Sequence, residues 1–356
     1  MKKRVLSILL AMSIACGVLS LAGCGGNGGR ITLNVYNWGE YIDTSVLADF
    51  EKETGVKVNY TTYASNEEMY AKVSSGAASY DVVIPSDYMI GKMIEEDMLA
   101  ELDFANIPNY QYIGEDYKGL QYDPENKYSV PYTWGTTVVI YNKNAVDPAD
   151  VADKSVDLLW NEKYKDQILM FDNPRDAFAL AQAKLGYSFN STDPEEWKAA
   201  AELLKQQKPL VQEYVMDQVF DKMEMGEAAI AAYYAGDALI IQDEQDESVD
   251  IDYYIPKEGA NMFVDAMCVL KNTQHKAQAE AFINFMCRTD VAVKTANQIG
   301  YATPHTEAKK LLDPSITSNT VVYADSATLA NTEVFLNLTP EIGKLQSELW
   351  TDIKKD

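Results

Sequence analysis

Residues 31–84 read ITLNVYNWGEYIDTSVLADFEKETGVKVNYTTYASNEEMYAKVSSGAASYDVVI, and strand patterns alternate with helix patterns along this stretch. Residues 31–36 and 56–60 alternate apolar with polar side chains, as half-buried strands do. Residues 80–84 have the composition of a buried strand, followed by a proline and a serine. A helix pattern separates each strand from the next one.

The two helix patterns have recognisable ends. Thr44 or Ser45 can cap the first helix, and Gly55 ends it because glycine readily takes the left-handed conformation of a C-cap. The segment 65–68, Ser-Asn-Glu-Glu, has the spacing of a capping box and opens the second helix. The resulting β-α-β-α-β order predicts a parallel sheet with right-handed crossovers.

The same alternation restarts after a predicted strand at residues 136–141, which indicates a second lobe. About 330 residues follow the predicted signal sequence, more than one hydrophobic core usually supports. Ligands of open α/β sheets bind beyond the carboxyl ends of the strands, so two facing lobes predict a cleft that closes by hinge motion. The further predicted elements are strands at 168–171, 228–234, 251–255 and 262–270, and helices at 174–185, 194–206, about 275–287 and 290–298.

The N-terminus has the layout of a secretory signal. Lys2, Lys3 and Arg4 precede an uncharged apolar run that ends near Leu21. The run is too short and too lightly flanked to be a membrane-spanning helix. We therefore expect residues 1–23 to be a signal sequence that is removed on export.

The segment 21–24, Leu-Ala-Gly-Cys, resembles the lipobox of bacterial lipoproteins, in which the cysteine is lipidated. The resemblance implies that Cys24 anchors the protein to the outer face of the cell membrane. Residues 24–30 are rich in glycine and are expected to form a flexible tether. No later segment is apolar enough to be predicted as a membrane span.

The net charge narrows the possible partners. Residues 1–23 contain three of the 30 basic residues and no acidic residue, so the mature chain would carry 54 acidic and 27 basic residues, a formal charge of −27. Nucleic acid is a poor partner for such a chain. The field would concentrate cationic solutes, although salt screens it beyond about 10 Å. Solubility outside the cell explains the same acidity, so charge alone identifies no ligand.

The cysteines and histidines argue against a disulfide scaffold, a metal site or a histidine-based catalytic triad. Cys268 and Cys287 lie in apolar surroundings and are predicted to be buried free thiols. His275 and His305 are the only histidines, and we expect them at the surface or at helix ends. The acidic run at 243–247 lacks the glycine and the ligand spacing of a calcium loop and is predicted to be a solvated loop. No metal or cofactor is expected.

Aromatic and carboxylate side chains alternate where the predicted strands end. A linear polyamine needs both types, because carboxylates compensate ammonium groups that leave water and flat rings pack against methylenes. Asp265 is the strongest of these candidates, since Asp is disfavoured inside a strand. The segments are 37–41 (Asn-Trp-Gly-Glu-Tyr), 85–88 (Pro-Ser-Asp-Tyr), 172–176 (Asp-Asn-Pro-Arg-Asp), 234–237 (Tyr-Ala-Gly-Asp), 263–265 (Phe-Val-Asp) and 300–301 (Gly-Tyr).

Residues 33–312 resemble the spermidine/putrescine-binding proteins of ABC importers. Five segments carry the resemblance: 37–41, 50–55, 66–72, 130–135 and 299–304. It implies a two-lobe, periplasmic-binding-protein-like type II α/β fold whose lobes are joined by hinge strands. We expect lobe 1 at residues 31–135 plus about 264–307, and lobe 2 at 136–263 plus about 308–356.

The resemblance also implies a site and partners. Asp265 and Asp176 are expected to pair with ammonium groups of the polyamine and Asp237 with another amine. The importer's permease subunits are the expected protein partners, and the chain is expected to be a monomer and not an enzyme. The positions that match ligand contacts are Trp38, Tyr41, Ser86, Tyr88, Asp176, Tyr234, Asp237, Phe263, Asp265 and Tyr301.

The chain departs from that family at four positions in or near the expected site. Asn173 stands where many spermidine binders have a carboxylate, which argues against an additional ammonium there. Tyr234 and Phe263 replace tryptophans, and Phe335 falls near a position that is polar in some members. The Phe263 and Asp237 segments look more like the putrescine-preferring branch, so both a diamine and a triamine remain candidate ligands.

Two other classes of function fit parts of the sequence. A ferric-ion binding protein of the same fold would use adjacent tyrosines, and the pairs 233–234 and 253–254 are adjacent. An extracellular hydrolase would use two cleft carboxylates as acid and base, but no spacing specifies such a pair and no nucleophile motif is present. The aromatic and acidic alternation is explained by neither class.

Overall fold

The computed structural model describes residues 30–76 and 78–355. The predicted signal sequence, Cys24 and the tether up to residue 29 lie outside these residues. Arg30, the last residue of the predicted tether, already contacts the folded part of the chain. Its guanidinium donates to Glu51 at 3.3 Å and to the carbonyl of Gly55 at 3.1 Å.

The described residues contain strands in both halves of the chain. They are β1 Thr32–Trp38, β2 Lys57–Tyr63, β3 Val82–Val83, β4 Ser129–Asn142, β5 Ile168–Phe171, β6 Val211–Val215, β7 Ile230–Tyr234, β8 Ile251–Tyr254, β9 Ala260–Val269 and β10 Thr332–Glu333. The α-helices are α1 Ser45–Thr54, α2 Asn66–Ser74, α3 Asp87–Glu95, α4 Pro148–Val151, α5 Pro174–Leu185, α6 Pro194–Gln207, α7 Val219–Glu224, α8 Ala235–Glu244, α9 Lys276–Met286, α10 Thr289–Ile299, α11 Thr306–Lys309, α12 Pro314–Thr317 and α13 Pro340–Lys354.

Strand pairing divides the chain into two lobes. In the first lobe β1 pairs in parallel with β2 and β3, and β3 pairs antiparallel with β9. In the second lobe β5 lies parallel to both β6 and β7. The predicted β-α-β-α-β order and its parallel pairing are confirmed, and the architecture is the two-lobe, periplasmic-binding-protein type.

Strand β4 joins the two lobes. Its first half, from Ser129 to Thr136, pairs antiparallel with β9, and its second half, from Thr137 onward, pairs with β7 and β8. A bulge at Tyr132 shifts the pairing with β9 by one residue. Such a bulge bends the strand and re-aims its side chains.

Each lobe has its own apolar core. In the first lobe Phe50 of α1 packs against Phe282 and Phe285 of α9, with ring centres 5.3 Å apart in both pairs. Helix α9 therefore packs in the same apolar core as α1. In the second lobe Phe178 of α5 packs on Trp197 of α6, and α13 lies against α6.

Local sequence signals account for many element ends. Gly55 ends α1 with φ +74°, and its N–H bonds the carbonyl of Glu51 at 2.9 Å. Ser65 caps α2 by accepting the N–H of Glu68 at 3.2 Å, as its spacing predicts. Strand β5 and helix α5 have the predicted bounds. The third strand is shorter than predicted, because only Val82 and Val83 pair.

Several predictions about single residues can be compared with the structure. Cys268 and Cys287 are buried free thiols, as expected. His275 and His305 are the N-cap residues of α9 and α11, so the helix-end prediction is confirmed, and His305 is buried. The prediction of a loop at residues 243–247 is wrong for residues 243 and 244, which belong to α8. None of the helices in the described part of the chain has the length and apolarity needed to cross a membrane.

Candidate ligand-binding cleft

One cleft brings all ten predicted ligand-contact residues together. Its walls come from the ends of β1, β3, β5 and β7, from the middle of β9 and from the segment after α10. The lining residues that were predicted are Trp38, Tyr41, Ser86, Tyr88, Asp176, Tyr234, Asp237, Phe263, Asp265 and Tyr301. Other lining residues include Gly39, Asn66, Asp87, Asn173, Asp217, Tyr233, Asn261 and Phe335.

Asp265 lies on β9 in the part that pairs with the first half of β4, and 3% of its surface is exposed. The Tyr41 hydroxyl donates to its Oδ2 at 2.6 Å, whereas its Oδ1 is buried without a hydrogen-bond partner. Burial raises the pKa of Asp265 to about 6, although the hydrogen bond from Tyr41 opposes the rise. One oxygen is therefore held by the protein, and the other has no hydrogen-bond partner among the described residues.

Asp176 repeats this arrangement in the second lobe. It stands in the first turn of α5, behind Asn173, whose side chain caps the helix by accepting the N–H of Arg175 at 3.0 Å. The Tyr234 hydroxyl donates to Asp176 Oδ2 at 2.9 Å, and Oδ1 is again buried and unpartnered. Burial raises the pKa of Asp176 to about 7.

Asp237 is the third carboxylate of the cleft. It stands in the first turn of α8, and the Tyr301 hydroxyl donates to its Oδ2 at 2.8 Å. Burial raises its pKa to about 8, and the neighbouring charges of Asp217 and Glu40 add to the rise. This hydrogen bond joins α8 to the segment after α10.

The three carboxylates share one design. Each is held on one oxygen by a tyrosine hydroxyl, and each is buried enough to raise its pKa. Taking a carboxylate out of water disfavours its charged form unless a positive charge compensates it. The arrangement therefore favours a ligand that supplies several positive charges.

Aromatic rings fill the space between these acids. Tyr41 meets Tyr301 edge-on with ring centres 4.9 Å apart, and Phe263 lies 6.2 Å from Tyr301 and 5.5 Å from Tyr234. Trp38 is fixed by its indole N–H, which donates to the carbonyl of Ile84 at 2.9 Å. Such rings offer flat apolar walls and negative faces to a cationic chain.

Ser86 and Tyr88 are positioned by a neighbouring helix. The Asn66 amide nitrogen, at the start of α2, donates to the Ser86 hydroxyl and to the Tyr88 hydroxyl, both at 3.1 Å. The Tyr88 hydroxyl in turn donates to Glu67 at 2.9 Å. Asn66 and Glu67 thereby orient a wall of the cleft from behind.

Sequence reasoning missed two acids of the cleft. Asp87 follows Ser86 directly and is buried; its carboxylate accepts the N–H groups of Tyr88 and Val264 at 2.7 and 3.1 Å. Burial raises its pKa to about 8. The position of Asp87 after a predicted strand could have marked it as a cleft residue. Asp217 follows β6, a strand that was not predicted, so no signal marked it.

The ferric-ion alternative finds little support in this geometry. Tyr233 and Tyr234 line the cleft, but burial raises the pKa of both hydroxyls well above the ordinary value, which disfavours the phenolate that iron needs. Tyr253 and Tyr254 are not among the residues that line the cleft. Their hydroxyls instead bond Asn319 and the carbonyl of Ser155.

Residues 45–324 match the model of a family described as bacterial extracellular solute-binding protein. The chain is 38% identical over 334 residues to the spermidine/putrescine-binding periplasmic protein of Escherichia coli (strain K12), and the alignment covers 94% of this chain and 93% of that protein. The chain belongs to the bacterial extracellular solute-binding proteins.

Other members are similar along nearly their whole length. A putrescine/cadaverine-binding protein of Pseudomonas aeruginosa is 32% identical over 329 residues, which cover 90% of this chain and 93% of that protein. A solved structure of a spermidine/putrescine ABC transporter substrate-binding protein from Streptococcus pneumoniae superposes with a TM-score of 0.76 at 35% identity. It covers 91% of this chain and 98% of its own.

Glycines allow the two lobes of this solute-binding protein to approach closely. A Cβ atom at Gly236 would lie 2.2 Å from the ring of Tyr301, and one at Gly39 would lie 2.3 Å from the carboxylate of Asp217. Both distances are far below van der Waals contact. Larger residues at either position would push the lobes or their side chains apart.

Gly236→Ala should therefore destabilise the solute-binding protein by about 1–3 kcal/mol, because the new methyl group overpacks the buried Tyr301 ring. Gly343→Ala is the matched control, since nothing lies within 4 Å of a Cβ there and alanine is the better helix former. Urea unfolding should show opposite signs for the two variants. Equal unfolding free energies for Gly236→Ala and the wild type would contradict the close contact.

Proposed function

We propose that this chain is the substrate-binding component of a polyamine ABC importer, and that it holds spermidine or putrescine in the cleft between its lobes. The observation that carries the proposal is the set of buried carboxylates, each bonded on one oxygen by a tyrosine. The buried, unpartnered Oδ1 atoms of Asp176 and Asp265 support it most directly. The names of the related proteins agree in ligand class.

The proposed binding mode follows from the chemistry of a linear amine. Its ammonium groups would pair with Asp265, Asp176 and Asp237, which compensates charges that would otherwise be stranded in a closed cleft. Its methylenes would lie against Tyr41, Tyr301 and the other rings. An aliphatic pocket could not hold such a ligand, because an unpaired buried ammonium costs several kcal/mol.

Closure around the ligand is proposed to occur at the crossing strands. Both β4 and β9 run between the lobes, and the pairing of β4 changes partner between Thr136 and Thr137. We place the lobe boundary there, with lobe 1 at residues 31–135 plus about 264–307 and lobe 2 at 136–263 plus about 308–356. Hinge motions commonly concentrate in a few residues at element ends.

We also propose the cellular setting. The chain is exported as a monomer, is anchored by a lipid on Cys24 to the outer face of the membrane, and delivers its ligand to the permease subunits of the importer. The lipobox resemblance of residues 21–24 and the glycine-rich residues after it support the anchor. The periplasmic setting named for the relatives agrees with export.

Asp265→Asn should weaken polyamine binding by on the order of 2 kcal/mol or more, because it leaves an ammonium uncompensated in the cleft. Glu341→Gln is the control, since it removes the same charge from an exposed position on α13. Calorimetric titration with putrescine and spermidine measures both variants. Equal affinities for Asp265→Asn and Glu341→Gln would remove Asp265 from the site.

Binding should release protons near pH 6. Burial raises the pKa of Asp176 to about 7 and of Asp237 to about 8, so both carboxyls retain protons at that pH in the ligand-free protein. A bound cation lowers these pKa values, so affinity should rise from about pH 6 to about pH 8.5 while the amines stay charged. Calorimetry in two buffers with different ionisation enthalpies measures the release. Identical heats in both buffers at about pH 6 would contradict the coupling.

Cys24→Ala should free the protein from membranes and leave polyamine affinity unchanged, because the anchor lies outside the cleft. Cys16→Ala is the control, since that cysteine belongs to the predicted signal sequence and should not affect anchoring. Fractionation after native expression compares the membrane pellet with the soluble fraction. A wild-type protein found only in the soluble fraction would refute the anchor.

A further inference from the structure

Phe335 lies at one end of the cleft, where a second and larger cavity begins. This second cavity shares Asp87, Tyr88 and Phe335 with the first cleft. Tyr88 comes from the first lobe and Phe335 from the segment after β10, and their rings meet edge-on with centres 5.9 Å apart. The two rings therefore form part of a partition between the cavities.

The partition is held firmly. Phe335 is buried and also packs edge-on against Phe189, with ring centres 6.2 Å apart. The guanidinium of Arg175, which is 3% exposed, lies 4.5 Å from the centre of the Phe335 ring. Arg175 Nη2 donates to the carbonyl of Leu336 at 3.1 Å, so the same residue fixes both the ring and its backbone.

Asn190 completes the support. Arg175 Nη2 donates to its side-chain oxygen at 2.9 Å, and that oxygen also accepts the N–H of Leu336 at 2.8 Å. The Asn190 amide nitrogen donates to the carbonyl of Val334 at 2.9 Å. The backbone on both sides of Phe335 is therefore tied to the second lobe.

The cavity behind the partition suits a cationic chain. Asp87, Glu95 and Asp116 line it, together with the rings of Tyr117, Tyr122 and Trp134. None of its described lining residues is a lysine or an arginine. An amine that reached it would find carboxylates and aromatic walls of the kind that line the first cleft.

We propose that Phe335, positioned by Arg175 and Asn190, limits the length of the amine that this protein accepts. The proposal rests on the polyamine-binding function proposed above. A diamine or a triamine can pair each of its ammonium groups with one of Asp176, Asp237 and Asp265. A tetraamine is a longer chain, and the partition keeps its far end out of the second cavity, which Glu95 and Asp116 line.

Calorimetric titration with putrescine, spermidine and spermine tests the partition, at a salt concentration of about 0.3 M to suppress weak binding to the acidic surface. The wild type should bind spermidine about tenfold or more tightly than spermine, since the partition keeps the end of the longer chain out of the second cavity. Phe335→Ala should shrink that ratio by about tenfold or more by opening the second cavity to the chain end. Phe335→Leu, a milder change, should shrink it less and serves if the alanine variant does not fold.

Phe282→Ala is the matched control. It also removes a buried phenyl ring, but from the contact with Phe50, and Phe282 lines neither cavity. Its ratio of spermidine to spermine affinity should equal that of the wild type. A wild type that binds spermine as tightly as spermidine, or a Phe335→Ala ratio equal to that of Phe282→Ala, would overturn the partition. Absence of binding by putrescine and spermidine alike would instead refute the proposed function.

Discussion

The structure depends on keeping several carboxylates buried in one cleft without an internal positive charge bonded to any of them. Asp176, Asp237 and Asp265 each receive a hydrogen bond from a tyrosine, and that bond offsets only part of the loss of water. The rest of the desolvation cost raises the pKa of each carboxyl, because burying a neutral acid costs less free energy than burying its anion. The cleft is therefore electrostatically incomplete until a cation enters, and this incompleteness is the source of both affinity and specificity in the proposed function.

The same constraint explains why the acids sit on different elements. Asp265 lies on β9, Asp176 and Asp237 stand in the first turns of α5 and α8, and Tyr41 and Tyr301 lie in the segments after β1 and α10. In the proposed function, a cation that pairs with all three acids is bound most tightly when the lobes are together, so its binding favours closure. The glycines at 39 and 236 permit this approach, because any side chain there would meet the facing lobe.

Local signals predicted much of the fold from particular residues. Asn173 and Pro174 open α5 and Gly186 ends it in the left-handed conformation, so its bounds followed from capping chemistry. In the same way, Gly55 marked the end of α1 and Ser65 marked the start of α2. The same reasoning missed β6, which carries exposed polar residues and lacks a clean alternation, and with it Asp217. The predicted start of β4, residue 136, is also seven residues too late. The first half of β4 is defined by its pairing with the distant strand β9, and such pairing leaves no pattern in the local sequence.

The sequence by itself determined the α/β class of the fold and the alternation of rings and acids at strand ends, and its resemblance to the spermidine/putrescine-binding proteins implied ten residues that line the cleft. The α/β class and the alternation follow from patterns of a few residues, whose physical causes, namely side-chain periodicity and helix capping, act over one or two turns. Only the tertiary structure decided which tyrosine bonds which acid, which carboxylate oxygens stay unpartnered, and that Phe335 separates two cavities. Those facts join residues that are up to 224 positions apart, as Tyr41 and Asp265 are, and such contacts are fixed by the packing of whole elements.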